Sequence, residues 1–200
     1  MCCILIAGMP ASGKSYMARL LSERLSLPCM SKDGIKEALF DELGFASRAE
    51  KVRLGLAAER VLMDFARTQL RTRRPFIVEN NFERASFGAW RELLNGHRAL
   101  TLLMDCDVDA AYARMVARDS SPERHRGHIV NTRYPEDAAL PYRAPALQDF
   151  RAGVQARGFS EFALGHVLRV DASDLARVDY DEIVRSVGEF IEKAAPPVAL

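Results

Sequence analysis

Residues 8–16 read Gly-Met-Pro-Ala-Ser-Gly-Lys-Ser-Tyr (GMPASGKSY). They follow an unbroken apolar run, Cys2 to Ala7, which has the length and character of a parallel strand covered on both faces. Beyond them Tyr16, Met17, Leu20, Leu21 and Leu25 recur at helical spacing. The stretch is therefore a strand-to-helix turn, and from Gly8 to Ser15 it satisfies G-x-x-x-x-G-K-[ST] in full. A turn of this kind grips phosphate oxygens with backbone N–H groups. Glycine exposes those groups, and the positive end of the following helix adds to the attraction. Gly8, Pro10, Ala11, Ser12, Gly13, Lys14, Ser15 and Tyr16 are thus the expected nucleotide-binding residues. Lys14 should reach the β- and γ-phosphates, and the Ser15 hydroxyl should be a ligand of Mg²⁺.

The 200-residue chain suits one domain, residues 1–200, with a full hydrophobic core. A formal net charge of +1 gives no global pull toward nucleic acid or an anionic membrane, so any basic site must be local. Cys2, Cys3, Cys29 and Cys106 form no C-x-x-C pair and no zinc spacing, which fits a reducing cytoplasm. No apolar run approaches a membrane span, and the opening residues lack the pattern of an export signal. No obligate protein partner is evident.

Further strands are expected at Leu27–Ser31, Phe76–Val78, Ala99–Asp105 and His166–Ala172, alternating with helices. Ser47 and Glu50 read as a capping box for a long helix reaching about Arg73, and Asp179 with Glu182 opens the last helix. Strands alternating with helices point to an open parallel α/β sheet whose binding crevice lies at the carboxyl ends of the strands. The polar, proline-bearing segment 119–145 is expected to be an irregular lid, and 195–200 a frayed tail.

Asp33 follows the second strand. A carboxylate there could take the proton of a substrate hydroxyl, or it could simply cap the helix beginning at Gly34. Glu79, Asn80 and Asn81 end the third strand, where they could orient substrate or hold metal-bound water, or merely satisfy a loop. Asp105 is a rival for the acid beside the metal. Arg114 and Arg118 lie one turn apart on a helix, and Arg124 and Arg126 follow, so this cluster could neutralise charge on a moving phosphoryl group. His125 and His128 look like lid hydrogen bonders, because no carboxylate or cysteine completes a metal site in their stretch.

The motif Gly8 to Ser15, Asp33 in SKDGIKE, VENNF, the arginines leading into RHRGH, and VDAS together resemble the P-loop kinases labelled AAA-domain or zeta-toxin-like. That group is similar to polynucleotide 5′-hydroxyl kinases and chloramphenicol phosphotransferases. The resemblance implies a single-domain P-loop fold with a five-stranded parallel sheet in the order 2-3-1-4-5, helices on both faces and an arginine-bearing lid. It implies ATP as donor with Mg²⁺, Asp33 as base, and Asp171 and Ser173 near the adenine. By the same analogy, Arg114 or Arg118 would touch the nucleotide and Arg124 or Arg126 the transferring phosphate.

The expected activity is therefore transfer of the γ-phosphoryl group of MgATP to a hydroxyl of a small molecule or of a nucleic-acid 5′-end. The catalytic set would be Lys14, Asp33, Arg118 and Arg124, with Asp33, Glu79, Asn80 and Asn81 at the substrate. A nucleotide-hydrolysing switch or a nucleotide-binding protein without chemistry is the alternative. The chain carries neither an N-K-x-D base-reading motif nor an LSGGQ-like signature.

Overall fold

The computed structural model describes residues 2–137 and 141–193; the expected tail, 195–200, and residues 138–140 of the expected lid lie outside them. The elements run β1 (Cys2–Ala7), α1 (Lys14–Leu25), β2 (Cys29–Ser31), α2 (Lys32–Leu43), α3 (Arg48–Thr72), β3 (Phe76–Glu79) and α4 (Phe87–Leu93). They continue as β4 (Arg98–Asp105), α5 (Val108–Asp119), α6 (Arg126–Ile129), α7 (Leu147–Arg157), β5 (His166–Asp171) and α8 (Tyr180–Glu192).

The five strands form one parallel sheet in the order β2-β3-β1-β4-β5. The central strand explains its own composition. Cys2, Ile4 and Ile6 of β1 pack with Met17 and Leu21 of α1 and with Val184 and Val187 of α8. Cys3, Leu5 and Ala7 point the other way, against Leu62 and Ala66 of α3 and Trp90 of α4. With both faces covered, all of β1 is buried, which accounts for its apolar composition. One side chain on the second face serves several polar groups. Glu59 of α3 accepts hydrogen bonds from Trp90 Nε1 (2.8 Å) and Asn80 Nδ2 (2.8 Å), and pairs with Lys32 Nζ (2.7 Å).

Several expected boundaries shift. β2 begins at Cys29 rather than Leu27. The cap of α2 is Ser31, whose Oγ accepts from Gly34 N at 3.0 Å, so Asp33 sits inside the first turn and is free of capping duty. Ser47 caps α3 as expected, while Glu50 reaches back to the N–H of Ala46. Asp179 accepts from Glu182 N at the start of α8.

The segment expected to be an irregular lid contains α6, and much of it is fastened to α2 and α3. Lys51 Nζ donates to the carbonyls of His128 (2.9 Å) and Val130 and to Asn131 Oδ1 (3.2 Å). Phe45 and Tyr134 exchange backbone hydrogen bonds at 2.8 Å in each direction. His125 Nε2 and Tyr134 Oη both meet Asp41 Oδ1, at 2.9 and 2.7 Å. Gly127 lies so close to Phe40 that a β-carbon there would stand 2.4 Å from the ring. Over 125–134 the expected lid is a strap packed on two helices, because aromatic side chains from α2 and its following turn give it a surface to bury against.

Candidate active site

At the carboxyl end of β1 the chain turns through Gly8, with φ of 141°, and Gly13, with φ of 91°, before α1 begins at Lys14. A side chain at Gly8 would place its β-carbon 2.5 Å from the carbonyl oxygen of Met104, and one at Gly13 would press on Leu175. The loop therefore needs glycine at both positions. Lys14 is buried, and its ammonium donates to the Met9 carbonyl at 2.7 Å, across the loop it belongs to. Burial pulls its pKa below the usual lysine range, against the opposing attraction of Glu79 and Asp33.

Ser15 Oγ donates to Glu79 Oε2 at 3.4 Å, joining the start of α1 to the end of β3. Glu79 is almost fully buried, and burial raises its pKa to about 7 in spite of Lys14 beside it. A hydroxyl and a carboxylate side by side form an all-oxygen donor pair suited to a hard divalent cation, and an N-terminal helix turn with glycine cradles is suited to phosphate. These residues fit the magnesium–nucleotide pair that the motif implies. Asp105, the rival acid, lies elsewhere. Its carboxylate pairs with Arg169 at 3.4 Å and accepts from Cys106 N at 3.2 Å, outside the P-loop cleft.

The cleft over the loop measures about 480 Å³. Pro10, Ala11, Gly13, Lys14, Ser15 and Tyr16 form its floor, while Gly8 and Ser12 lie beneath, Ser12 wholly buried. Asp33, Lys36, Glu79 and Asn81 stand on the β2–β3 side, and Arg114 and Leu175 on the β4–β5 side. Arg118, Asp119, Arg124 and His128 complete the wall where α5 passes into the strap, and Arg157 of α7 also reaches it.

Within this wall Asp119 gathers the arginines. Arg118 Nε donates to its Oδ1 at 2.7 Å, and Arg124 Nε lies 3.3 Å from the same oxygen. Arg124 also lies 4.0 Å from Glu37. Asp33 receives Lys36 Nζ at 3.3 Å, with about half its side chain open to the cleft. Burial would raise the Asp33 carboxyl, but nearby positive charge, Lys36 first, outweighs it and holds the group at about 2, ionised at neutral pH. His128 Nε2 is bound to Glu37 Oε1 at 2.8 Å.

The expected site residues therefore divide. Lys14, Ser15, Asp33, Glu79, Asn81, Arg114, Arg118 and Arg124 share one cleft. Asn80 does not join them: its amide is spent on Glu59, and its Oδ1 accepts from Asn81 N, so its expected contact with substrate is corrected to a structural one. Arg114 donates to the Ala172 carbonyl at 2.8 Å and contacts Cys106, which anchors it beside the end of β5. Arg126 pairs with Glu136, away from the cleft. Asp171 and Ser173 tie β5 to α5 through Ser173 N and Asp107 N, and it is Leu175, two residues on, that reaches the P-loop. Lys36, Glu37, Lys51 and Arg157 were not anticipated. Only Lys36 carried a local signal, an i,i+3 pairing with Asp33 on one helix.

A parallel sheet in the order 2-3-1-4-5, with a phosphate loop leaving its central strand, defines a P-loop kinase fold. The chain belongs to the AAA domain family, whose model matches residues 3–131. Among solved structures it is similar to a candidate kinase from Chloroflexus aurantiacus, at 26% identity over 94% of this chain and 97% of that one, with a TM-score of 0.77. The fold is also shared with a shikimate kinase from Bacteroides thetaiotaomicron (16% identity, 95% and 98% covered, TM-score 0.57). A gluconokinase from Sinorhizobium meliloti shares it too (15%, 96% and 92%, 0.53). No curated protein matches the sequence.

Proposed function

We propose that the protein is an ATP-dependent kinase that transfers the γ-phosphoryl group to a hydroxyl of a small molecule, with Asp33 receiving the hydroxyl proton. The observation that carries this reading is the placement of an ionised Asp33, not used as a helix cap, in the same cleft as Lys14 and Ser15, with Arg118 and Arg124 on its wall. The acceptor oxygen forms a bond to the γ-phosphorus as the bond to the bridging oxygen breaks. ADP leaves, and the proton passes to an Asp33 oxygen.

Each residue has a part that follows from its chemistry. The loop amides and Lys14 bind the β- and γ-phosphates, and Arg118 and Arg124 offset charge on the group in flight. Asp119 holds both arginines in position. Ser15 would hold magnesium, with Glu79 behind it, and the ion when bound neutralises and orients the phosphate oxygens. Asp33 needs only modest basicity, because the acceptor hydroxyl loses its proton late in a loose transition state.

The test is transfer from γ-labelled ATP to a panel of hydroxyl acceptors. Asp33→Asn should lower kcat by about 10²- to 10⁴-fold while leaving nucleotide affinity intact, whereas Lys14→Ala should weaken nucleotide binding itself. Phosphate release that needs no acceptor and is indifferent to Asp33→Asn would instead identify a hydrolase.

A further inference from the structure

The strand order splits the cleft into two ends. Arg114 and Leu175 belong to the β4–β5 end, while Asp33, Lys36 and Asn81 belong to the β2–β3 end, where Arg124, His128 and Arg157 face them from the strap and α7. The β2–β3 end contains Asp33 and is the acceptor end of the reading above. Its walls are polar throughout. No Phe, Tyr or Trp lines it among the described residues; the cleft's tyrosine, Tyr16, stands on α1 with its ring edge-on to Tyr180.

His128 is unusual within that wall. Its side chain is only 7% exposed, with Phe40 packed edge-on against the imidazole. Nε2 faces a carboxylate oxygen of Glu37, which can only accept, so Nε2 carries the hydrogen and Nδ1 is left with a lone pair. No hydrogen bond reaches Nδ1 among the described residues, and His128 is one of the residues that line the cleft. Burial keeps the imidazole neutral, against the opposing pull of Asp33. Nδ1 is not among the buried atoms left without a partner, so it is open to a donor entering the cleft, and a hydroxyl supplies one.

We propose that the acceptor is a small polyhydroxy compound that offers its reacting hydroxyl to Asp33 and donates a second hydroxyl to Nδ1 of His128. The proposal rests on the kinase reading and deepens it. Glu37 is then a positioning residue that fixes the tautomer, and Lys36, Arg124 and Asn81 supply donors to the remaining oxygens.

The experiment offers the full chain MgATP with alditols, aldoses, aldonates, monohydroxy alcohols and a 5′-hydroxyl oligonucleotide, and measures both transfer and MgATP affinity. Transfer to polyols is expected. Removing the second hydroxyl from the best acceptor should lower kcat/KM steeply, toward the 10⁴-fold seen where a site is built to bind a hydroxyl. His128→Phe should raise the acceptor KM about 10- to 100-fold with MgATP affinity unchanged, and Glu37→Gln should shift the pH profile of kcat/KM. The deoxy comparison uses the wild-type protein and so stands if His128→Phe fails to fold. Transfer to the oligonucleotide or simple alcohols but not to polyols, or indifference to the second hydroxyl, overturns the proposal and spares the kinase reading. MgATP binding without transfer to any acceptor overturns both.

Discussion

Lys51 of α3 donates to the carbonyl oxygens of His128 and Val130, so one buried ammonium holds the strap that carries part of the cleft wall. Replacing it with methionine keeps the bulk and leaves two carbonyls without a donor, each at a cost of about 1 to 3 kcal/mol. Lys51→Met should therefore lower the urea midpoint and raise the acceptor KM, while MgATP affinity measured by calorimetry stays unchanged. Equal loss of both affinities would show that the strap does not act at one end of the cleft.

Gly8 admits no side chain. A β-carbon there meets the Met104 carbonyl at 2.5 Å, and its φ of 141° is closed to other residues. Gly8→Ala should cost about 2 kcal/mol or more and abolish binding of a fluorescent ATP analogue, as read by thermal shift and titration.

Glu59 joins α2, α4 and the end of β3 through Lys32, Trp90 and Asn80. Glu59→Ala should destabilise the fold by about 3 kcal/mol, because buried donors are left unpaired. The chain has a single tryptophan, so fluorescence reports on this site directly. A red-shifted emission in the folded variant is expected; an unaltered spectrum would contradict the hydrogen bond to Trp90.

Acid should unfold the protein through His128. Burial foremost, then the charges of Lys36, Arg124 and His125, hold its pKa at about 3 against Asp33, which pulls the other way, and Glu37 stands at Nε2. The unfolded chain takes up this proton near pH 6.5 and the folded one only near 3. Stability from this group is therefore complete above pH 6.5 and is lost as pH falls toward 3. Asp33, depressed from 3.8 to about 2, adds a further loss at lower pH. Melting temperatures of the protein and of His128→Gln between pH 7 and 4 should diverge, the variant showing the flatter curve.

The pattern of what was legible follows from sequence distance. The phosphate loop declares itself because its glycines, lysine and serine are contiguous, and β1 because its residues are all apolar, as a strand covered on both faces favours. The strand order came from family resemblance, since nothing local encodes which strands are neighbours. Ser31 and Asp33 are both good caps two residues apart, and only the backbone decides between them. Lys51, Glu37 and Arg157 were invisible for a different reason. Lys51 and its carbonyls are separated by 77 and 79 positions, and Glu37 and His128 by 91, so no window of sequence holds both partners. Asn80 misled because a polar residue at a strand end looks the same whether it faces a substrate or a buried glutamate.

Fastening the strap to α2 has a kinetic corollary. Asp33 lies on the same helix that Tyr134 and His125 grip through Asp41, so the half of the cleft that would receive the hydroxyl is held by contacts within the chain that involve no nucleotide. Neither substrate then has to wait for the other, and initial-rate plots at varied concentrations of both should intersect, with each product inhibiting as a random-order scheme requires.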